Sequence, residues 1–184
     1  MFSRILAAIL LIILSLIFFI LIIAIIIDDG FPAIFSQKRV GANNSIFTIF
    51  KFRTMKNNTP SNKATHLLEN PNTHNTFLGR YFRKYSLDEL PQLFNILRGE
   101  MVFIGPRPPL QNQFDLIELR NQYELQALKP GITGWAQING RDEISIKEKV
   151  RLEHYYHVNK SLLLNFKIIF LTFFRVIGKK GVSH

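Results

Sequence analysis

ILAAILLIILSLIFFILIIAIII, residues 5–27, is a run of 23 residues without a charge, and Ser15 is its only polar side chain. As a helix rising ~1.5 Å per residue it is about 34 Å long, enough for a hydrocarbon core of ~30 Å. The apolar region of a signal peptide runs only ~7–15 residues and ends at a small-x-small cleavage site. This run is longer and ends at Asp28-Asp29-Gly30, with Pro32 just beyond. It predicts a retained membrane segment within residues 1–29, followed by a body over residues 30–184. No second run of this kind follows, which excludes a polytopic transporter or a polytopic transferase.

All of the 23 Lys+Arg except Arg4, and all of the 13 Asp+Glu, follow that segment. The positive-inside tendency therefore puts the body on the cytoplasmic side. A formal charge of +10 favours an anionic partner, whether phosphates, a nucleotide, nucleic acid or anionic lipid. With 47 % hydrophobic and 20 % charged residues the chain is not disordered, and 184 residues suit one ordinary domain. The absence of cysteine removes disulfides, thiolate zinc sites and thiol nucleophiles together.

Past the membrane segment, Ile46–Phe52 is rich in β-branched and aromatic residues and reads as a strand. Residues 56–76 hold six Asn and few large apolar side chains, the composition of a surface loop or a lid. Leu78, Tyr81, Phe82 and Tyr85 then fall at i, i+3, i+4 and i+7, one apolar helix face, with Arg80, Arg83 and Lys84 on the other side. Leu90, Leu93, Phe94 and Leu97 repeat the spacing and stop at Gly99, a C-cap. Val102–Ile104 reads as a short strand, residues 111–128 as helical and Pro130-Gly131 as a turn. Leu162–Ile177 is an apolar, aromatic helix carrying Lys167 and Arg175, suited to the membrane interface. The fold class is α+β, mainly helical with a small β element.

No P-loop, GxGxxG or GxSxG is present, and His154 and His157 are the only close histidine pair, too few for a zinc site. The stretch that carries chemistry is Ser86-Leu87-Asp88-Glu89-Leu90-Pro91-Gln92. Its bland reading is a capping box, with Ser86 as N-cap and Glu89 three residues on, although Pro91 would then fall where an N–H is needed. If the helix begins nearer Asp88, the carboxylates lie at its positive end. There an ionised Asp can attack phosphorus, and a neighbouring Glu can hold Mg²⁺ or move a proton. Gly105-Pro106-Arg107-Pro108-Pro109 sets an Arg between prolines, which pre-orients its fork for a phosphate. Pro130-Gly131-Ile132-Thr133-Gly134-Trp135 carries the only Trp, able to pack on a base, and leads into Asn139-Gly140-Arg141. Each of these two segments could equally be a structured turn.

Lys51-Phe52-Arg53-Thr54-Met55, the Asp88-Glu89 stretch, Gly105-Pro106-Arg107-Pro108 and Pro130-Gly131-Ile132-Thr133-Gly134-Trp135-Ala136-Gln137 occur in this order. With them the chain resembles the bacterial sugar transferases, the monotopic phosphoglycosyl transferases, over nearly its whole length. In size it is similar to their small single-domain type, such as the transferases of phospho-N,N'-diacetylbacillosamine. The resemblance implies transfer of a sugar 1-phosphate from a UDP-sugar to undecaprenyl phosphate, with release of UMP. It points to an N-acetylated amino sugar as the donor. It further implies Asp88 as nucleophile, forming a covalent phosphosugar intermediate, Glu89 as metal-binding or proton-handling partner, and Mg²⁺ held at Asp88 and Glu89. Lys51, Arg53, Arg83, Arg107 and Arg141 match basic positions for phosphate and substrate binding.

The implied partners are the UDP-sugar, undecaprenyl phosphate and membrane lipids, not nucleic acid, and the implied place is the cytoplasmic face of the bacterial inner membrane. The family's membrane helix breaks at Ser-Pro into a re-entrant hairpin; here Ser15 is followed by Leu16, and Asn165 stands where the family often has Asp. The expectation adopted is re-entrant, with the bend near Ser15. Two readings without catalysis compete, a membrane-tethered basic protein that binds nucleic acid and a membrane-structuring protein. A carboxylate pair among cations argues against the first, and the second rests on the apolar ends alone.

Overall fold

A computed structural model of the chain describes residues 1–57, 59, 71–140 and 144–178. The Asn-rich stretch 56–76 is described only at its two ends, so the lid reading lies outside the described residues. Among these residues the fold is mainly helical with two small sheets, as the sequence predicts. The apolar run forms α1 (Phe2–Ile13) and α2 (Ser15–Asp29), bent by 64° at their junction. No single described helix is long and apolar enough to cross a membrane; the bent pair together is. There is no proline at the bend. Leu14 at the junction bonds to both sides, its N–H donating to Leu10 O at 2.8 Å and its carbonyl oxygen accepting from Phe18 N at 2.9 Å.

Strands β1 (Ile34–Val40) and β2 (Ile46–Phe52) pair across a turn in which Asn43 and Asn44 take left-handed φ of 53° and 57°, a conformation Asn tolerates. β2 covers the strand expected from sequence. Helices α3 (Phe77–Lys84) and α4 (Gln92–Arg98) follow. By packing, the chain divides into two compact units. Among the described residues one is Met1–Gln37 with Thr48–Arg98; the other is Lys38–Phe47 with the described residues between 99 and 178.

In the first unit α1 packs along α4 and α2 against α3. Phe18 of α2 is the wedge, its ring 5.2 Å from Phe52 and 6.0 Å from Phe94. This packing, and not a helix breaker, accompanies the bend. Both helix faces expected in this unit are corrected. In α3 the buried residues are Gly79, Phe82 and Arg83, while Tyr81 and Tyr85 are 50 % and 41 % exposed. The cause is Gly79: a Cβ there would lie 2.1 Å from the Thr54 carbonyl oxygen, so this is the face that meets the backbone after β2.

In α4 the buried face is Gln92, Leu93, Asn95 and Ile96, and Phe94 and Leu97 are partly exposed. Asn95 sets that face. Its Nδ2 donates to Thr48 O at 2.7 Å and its Oδ1 accepts from Phe50 N at 3.1 Å, so a helical side chain pairs with β2 as a neighbouring strand would. Asn95→Ala leaves two part-buried backbone groups of β2 without this partner and should cost about 2 kcal/mol. Thermal unfolding in detergent should show a clearly lowered midpoint; an unchanged midpoint would remove Asn95 as the link between α4 and β2.

The second unit contains β3 (Val102–Ile104), α5 (Phe114–Gln122), β4 (Gly131–Thr133), α6 (Trp135–Ile138), α7 (Ile146–Val158) and α8 (Leu162–Ile177). The expected turn at Pro130-Gly131 leads into β4, which pairs in parallel with β3 through Val102–Gly131 and Ile104–Thr133. Helix α5 is shorter than the predicted stretch 111–128. Helix α7 lies outside the elements expected from periodicity, although Ser145 and Glu148 spell an N-cap signature and Ser145 Oγ accepts from Glu148 N at 3.2 Å.

Leu116, Leu125 and Val150 form one core cluster of this unit; Ile138, Tyr156 and Ile168 form another. Tyr156 Oη donates to Asn165 Oδ1 at 2.9 Å, tying α7 to α8, and burial raises the Tyr156 phenol above its ordinary pKa, so it stays a donor. Trp135 stacks on Tyr155 at 5.8 Å, with Lys167 Nζ 5.4 Å over its ring, which gives it a packing role within the unit.

Candidate active site

Strand β2 ends by sending neighbouring residues to different tasks. Phe52 is buried against Phe18. Lys51 reaches the segment between α3 and α4, placing Nζ 2.8 Å from Glu89 Oε1 and 3.8 Å from Asp88 Oδ2. One cation thus meets both carboxylates of the motif.

The carboxylates are presented by a short 3₁₀ turn, Leu87–Glu89. Ser86 opens it with a φ of 54°, and its side chain makes no cap bond, so the capping-box reading fails. Backbone bonds from Glu89 N to Ser86 O and from Leu90 N to Leu87 O, both 3.2 Å, close the turn. Pro91 fits because α4 starts only at Gln92, so the missing N–H lies ahead of the helix.

Asp88 and Glu89 are 4 % and 6 % exposed. Two adjacent buried carboxylates are costly to desolvate, and a cluster of this kind favours a functional reading over a merely stabilising one. It offers an oxygen nucleophile, a second carboxylate and an ammonium group in one place. Among the described residues no group of three or more His, Asp or Glu lies together, so protein donors alone do not complete a metal site. The pair does suit a hard cation that takes its remaining ligands from substrate phosphates.

The predicted basic residues separate. Arg53 is buried, its Nη2 donating to the carbonyl oxygens of Asp29 at 2.9 Å and Gly30 at 2.7 Å. The same nitrogen lies 3.3 Å from Asp29 Oδ2, and Nη1 donates to Asn57 Oδ1. Arg53 therefore holds the end of α2, a contact hidden from a reading that ranks cations by motif. Asp28 completes that junction by accepting from Leu78 N at 2.9 Å, at the start of α3. The acidic pair closing the apolar run was the available signal. Arg83 is buried on α3, with Nη1 3.3 Å from Asn75 Oδ1. Arg107 belongs to the second unit, half-buried between Pro106 and Pro108. Arg141 lies outside the described residues. Of the predicted residues, Lys51 meets both Asp88 and Glu89.

The model of the bacterial sugar transferase family matches residues 1–179. An uncharacterized sugar transferase of Bacillus subtilis, EpsL, is 42 % identical over 154 residues, covering 84 % of this chain and 74 % of that protein. The UDP-glucose:undecaprenyl-phosphate glucose-1-phosphate transferase of Xanthomonas campestris is 39 % identical over 156 residues, 81 % of this chain and 32 % of that protein. The undecaprenyl-phosphate galactose phosphotransferase of Salmonella typhimurium is 35 % identical over 167 residues, 83 % and 35 % of the two chains. The matched part thus spans about a third of these two phosphotransferases.

Proposed function

Because the chain belongs to the bacterial sugar transferase family, we propose that it moves a sugar 1-phosphate from a UDP-sugar to undecaprenyl phosphate, releasing UMP, as the first membrane step of glycoconjugate or polysaccharide biosynthesis. The observation that carries this reading is the buried cluster of Lys51, Asp88 and Glu89. In the proposed first step an Asp88 carboxylate oxygen forms a bond to the sugar-bearing phosphorus. The bond from that phosphorus to the bridging oxygen breaks, and UMP leaves with the electron pair. In the second step a phosphate oxygen of undecaprenyl phosphate attacks the same phosphorus and releases the Asp88 carboxylate. Lys51 holds the two carboxylates in place and offsets their charge as an anionic diphosphate approaches. Glu89, bonded to Lys51, holds metal or handles a proton beside the nucleophile. Asp88 and Glu89 would hold Mg²⁺ together with the diphosphate; when bound it neutralises phosphate charge and polarises the bond that breaks.

Residues 1–29 are proposed as the membrane-embedded part and residues 30–184 as the catalytic body on the cytoplasmic face. The bent α1–α2 pair supports a re-entrant hairpin. The exposed Leu162, Leu163, Phe166, Phe170 and Phe173 of α8 support a place in the membrane interface.

The test is UMP release from a panel of UDP-sugars with undecaprenyl phosphate and Mg²⁺. UDP-linked N-acetylated amino sugars head the panel, followed by the glucose and galactose donors. Release dependent on both the lipid phosphate and one donor is expected. No release from any donor would overturn the reading.

A further inference from the structure

Lys51 stands on a strand and the carboxylates it meets stand on a turn, so their contact depends on how strand and turn are held together. Among the described residues β2 pairs with β1 and with no other strand. Just past β2, Arg53 N donates to Ala33 O at 2.9 Å; the odd-numbered residues of β2 therefore turn their backbone groups to β1, and Thr48 and Phe50 turn theirs away. A strand edge of this kind has no ladder partner of its own. Asn95 of α4 takes two of its groups: Nδ2 donates to Thr48 O at 2.7 Å, and Oδ1 accepts from Phe50 N at 3.1 Å.

Burial alone does not call for an amide at this position. Asn95 is 0 % exposed and shares the buried face of α4 with Leu93 and Ile96, where a leucine would pack without a polar group to desolvate. What the amide adds is register. Apolar contact tolerates a slide of α4 along β2, whereas a donor and an acceptor fixed on one planar group do not. Both ends of this brace lead to the reacting groups. Phe50 is the chain neighbour of Lys51. On the other side Leu93 N donates to Leu90 O at 3.0 Å and Phe94 N to Pro91 O at 3.1 Å, which ties the first turn of α4 to the segment following Glu89. The Lys51 ammonium closes the circuit, 2.8 Å from Glu89 Oε1 and 3.8 Å from Asp88 Oδ2. A flexible lysine stem could follow a shifted strand to one carboxylate, but the two distances differ by only about 1 Å, so a shift of that size changes which carboxylate the ammonium serves.

We infer that Asn95 is a positioning residue of the transfer reaction: by bracing β2 against α4 it sets where the Lys51 ammonium stands between Glu89 and Asp88. Its own amide is spent on the two backbone bonds, and it acts through Lys51. The inference rests on the reading of Asp88 and Glu89 as the reacting pair. A misplacement of about 1 Å at such a site lowers a rate by about a hundredfold.

The test uses the full chain in detergent and the UMP-release assay, at a temperature where every variant is folded. Asn95→Ala removes both bonds and should lower kcat about a hundredfold, with KM for the UDP-sugar little changed. Ile96→Ala supplies the comparison. It opens a cavity on the same buried face, lowers the thermal midpoint at least as far and breaks no side-chain bond to β2, so its kcat should stay within about twofold of the wild type. In a Lys51→Met background, where kcat is already lowered, adding Asn95→Ala should lower it by less than about threefold more, because both changes act through one ammonium. A wild-type kcat in folded Asn95→Ala overturns the inference and leaves the Asp88 chemistry standing. So does an equal loss in Ile96→Ala, which would make the effect one of stability, and so does a fully multiplied loss in the double variant. No UMP release by the wild type withdraws the reaction and the inference together. Should Asn95→Ala not fold, Asn95→Leu, which keeps the branched shape and loses both bonds, is read the same way.

Discussion

Asp88→Asn should give a folded, membrane-bound protein that releases UMP at no more than about one ten-thousandth of the wild-type rate. The amide matches the carboxylate in shape and cannot supply an oxygen with the charge to displace UMP. Folding should survive, because Lys51 keeps its 2.8 Å contact with Glu89 when Asp88 loses its charge. The covalent intermediate supplies a second readout. With phosphorus-labelled UDP-sugar and no acceptor, the wild type should take up label that hydroxylamine removes, as an acyl phosphate requires, and Asp88→Asn should take up none. Glu89→Gln should slow UMP release by about a hundredfold and still acquire label, since it loses the partner and keeps the nucleophile. More than trace turnover in Asp88→Asn would end its assignment as nucleophile. Label retained there and lost in Glu89→Gln would exchange the two roles.

The residues of that experiment were legible as a motif, because adjacent carboxylates among cations are unusual along a chain. Their counter-charge was not. Lys51 and Glu89 are 38 positions apart, and only the pairing of a strand end with a 3₁₀ turn makes them neighbours. The same limit explains the helix faces. Periodicity counts apolar residues, so it marked Tyr81 and Tyr85 as core and overlooked Gly79, whose lack of a side chain is what allows α3 to approach the Thr54 carbonyl. In α4 a polar residue, Asn95, occupies the core position because it completes the hydrogen bonds of β2. Strand Ile46–Phe52 and helix Leu162–Ile177 were legible to their ends, since each has a uniform composition bounded by turn or capping residues. The three-residue β4 carries too little pattern to announce a strand before its partner is known.

A cysteine introduced at Ser3 should be shielded from an impermeant thiol reagent in intact cells and labelled after lysis; the chain has no other cysteine to confuse the result. Length and composition alone would favour a straight crossing through residues 5–27, with Ser3 outside. The contacts at the two ends argue otherwise. At one end Arg4 Nε donates to Leu97 O at 2.8 Å, at the C-terminus of α4, where a cation is favourably placed. At the other, Asp28 caps Leu78 N and Arg53 holds the carbonyls of Asp29 and Gly30. Both ends therefore belong to the packed unit that carries Asp88. In a straight helix Arg4 and Asp28 would be about 36 Å apart, farther than the ~30 Å hydrocarbon core, with Arg4 on the far side. An arginine there could not reach Leu97. The 64° bend at Leu14 makes the two attachments compatible, and Phe18 wedged against Phe52 and Phe94 supplies a packing reason for it in a chain whose Ser15 is followed by leucine. Arg4→Glu should weaken this arrangement by placing an anion against the carbonyls at the end of α4, and should lower the thermal midpoint in detergent. Labelling of Ser3→Cys in intact cells would show a full crossing and overturn the re-entrant topology, while the chemistry assigned to Asp88 would stand or fall by its own experiment.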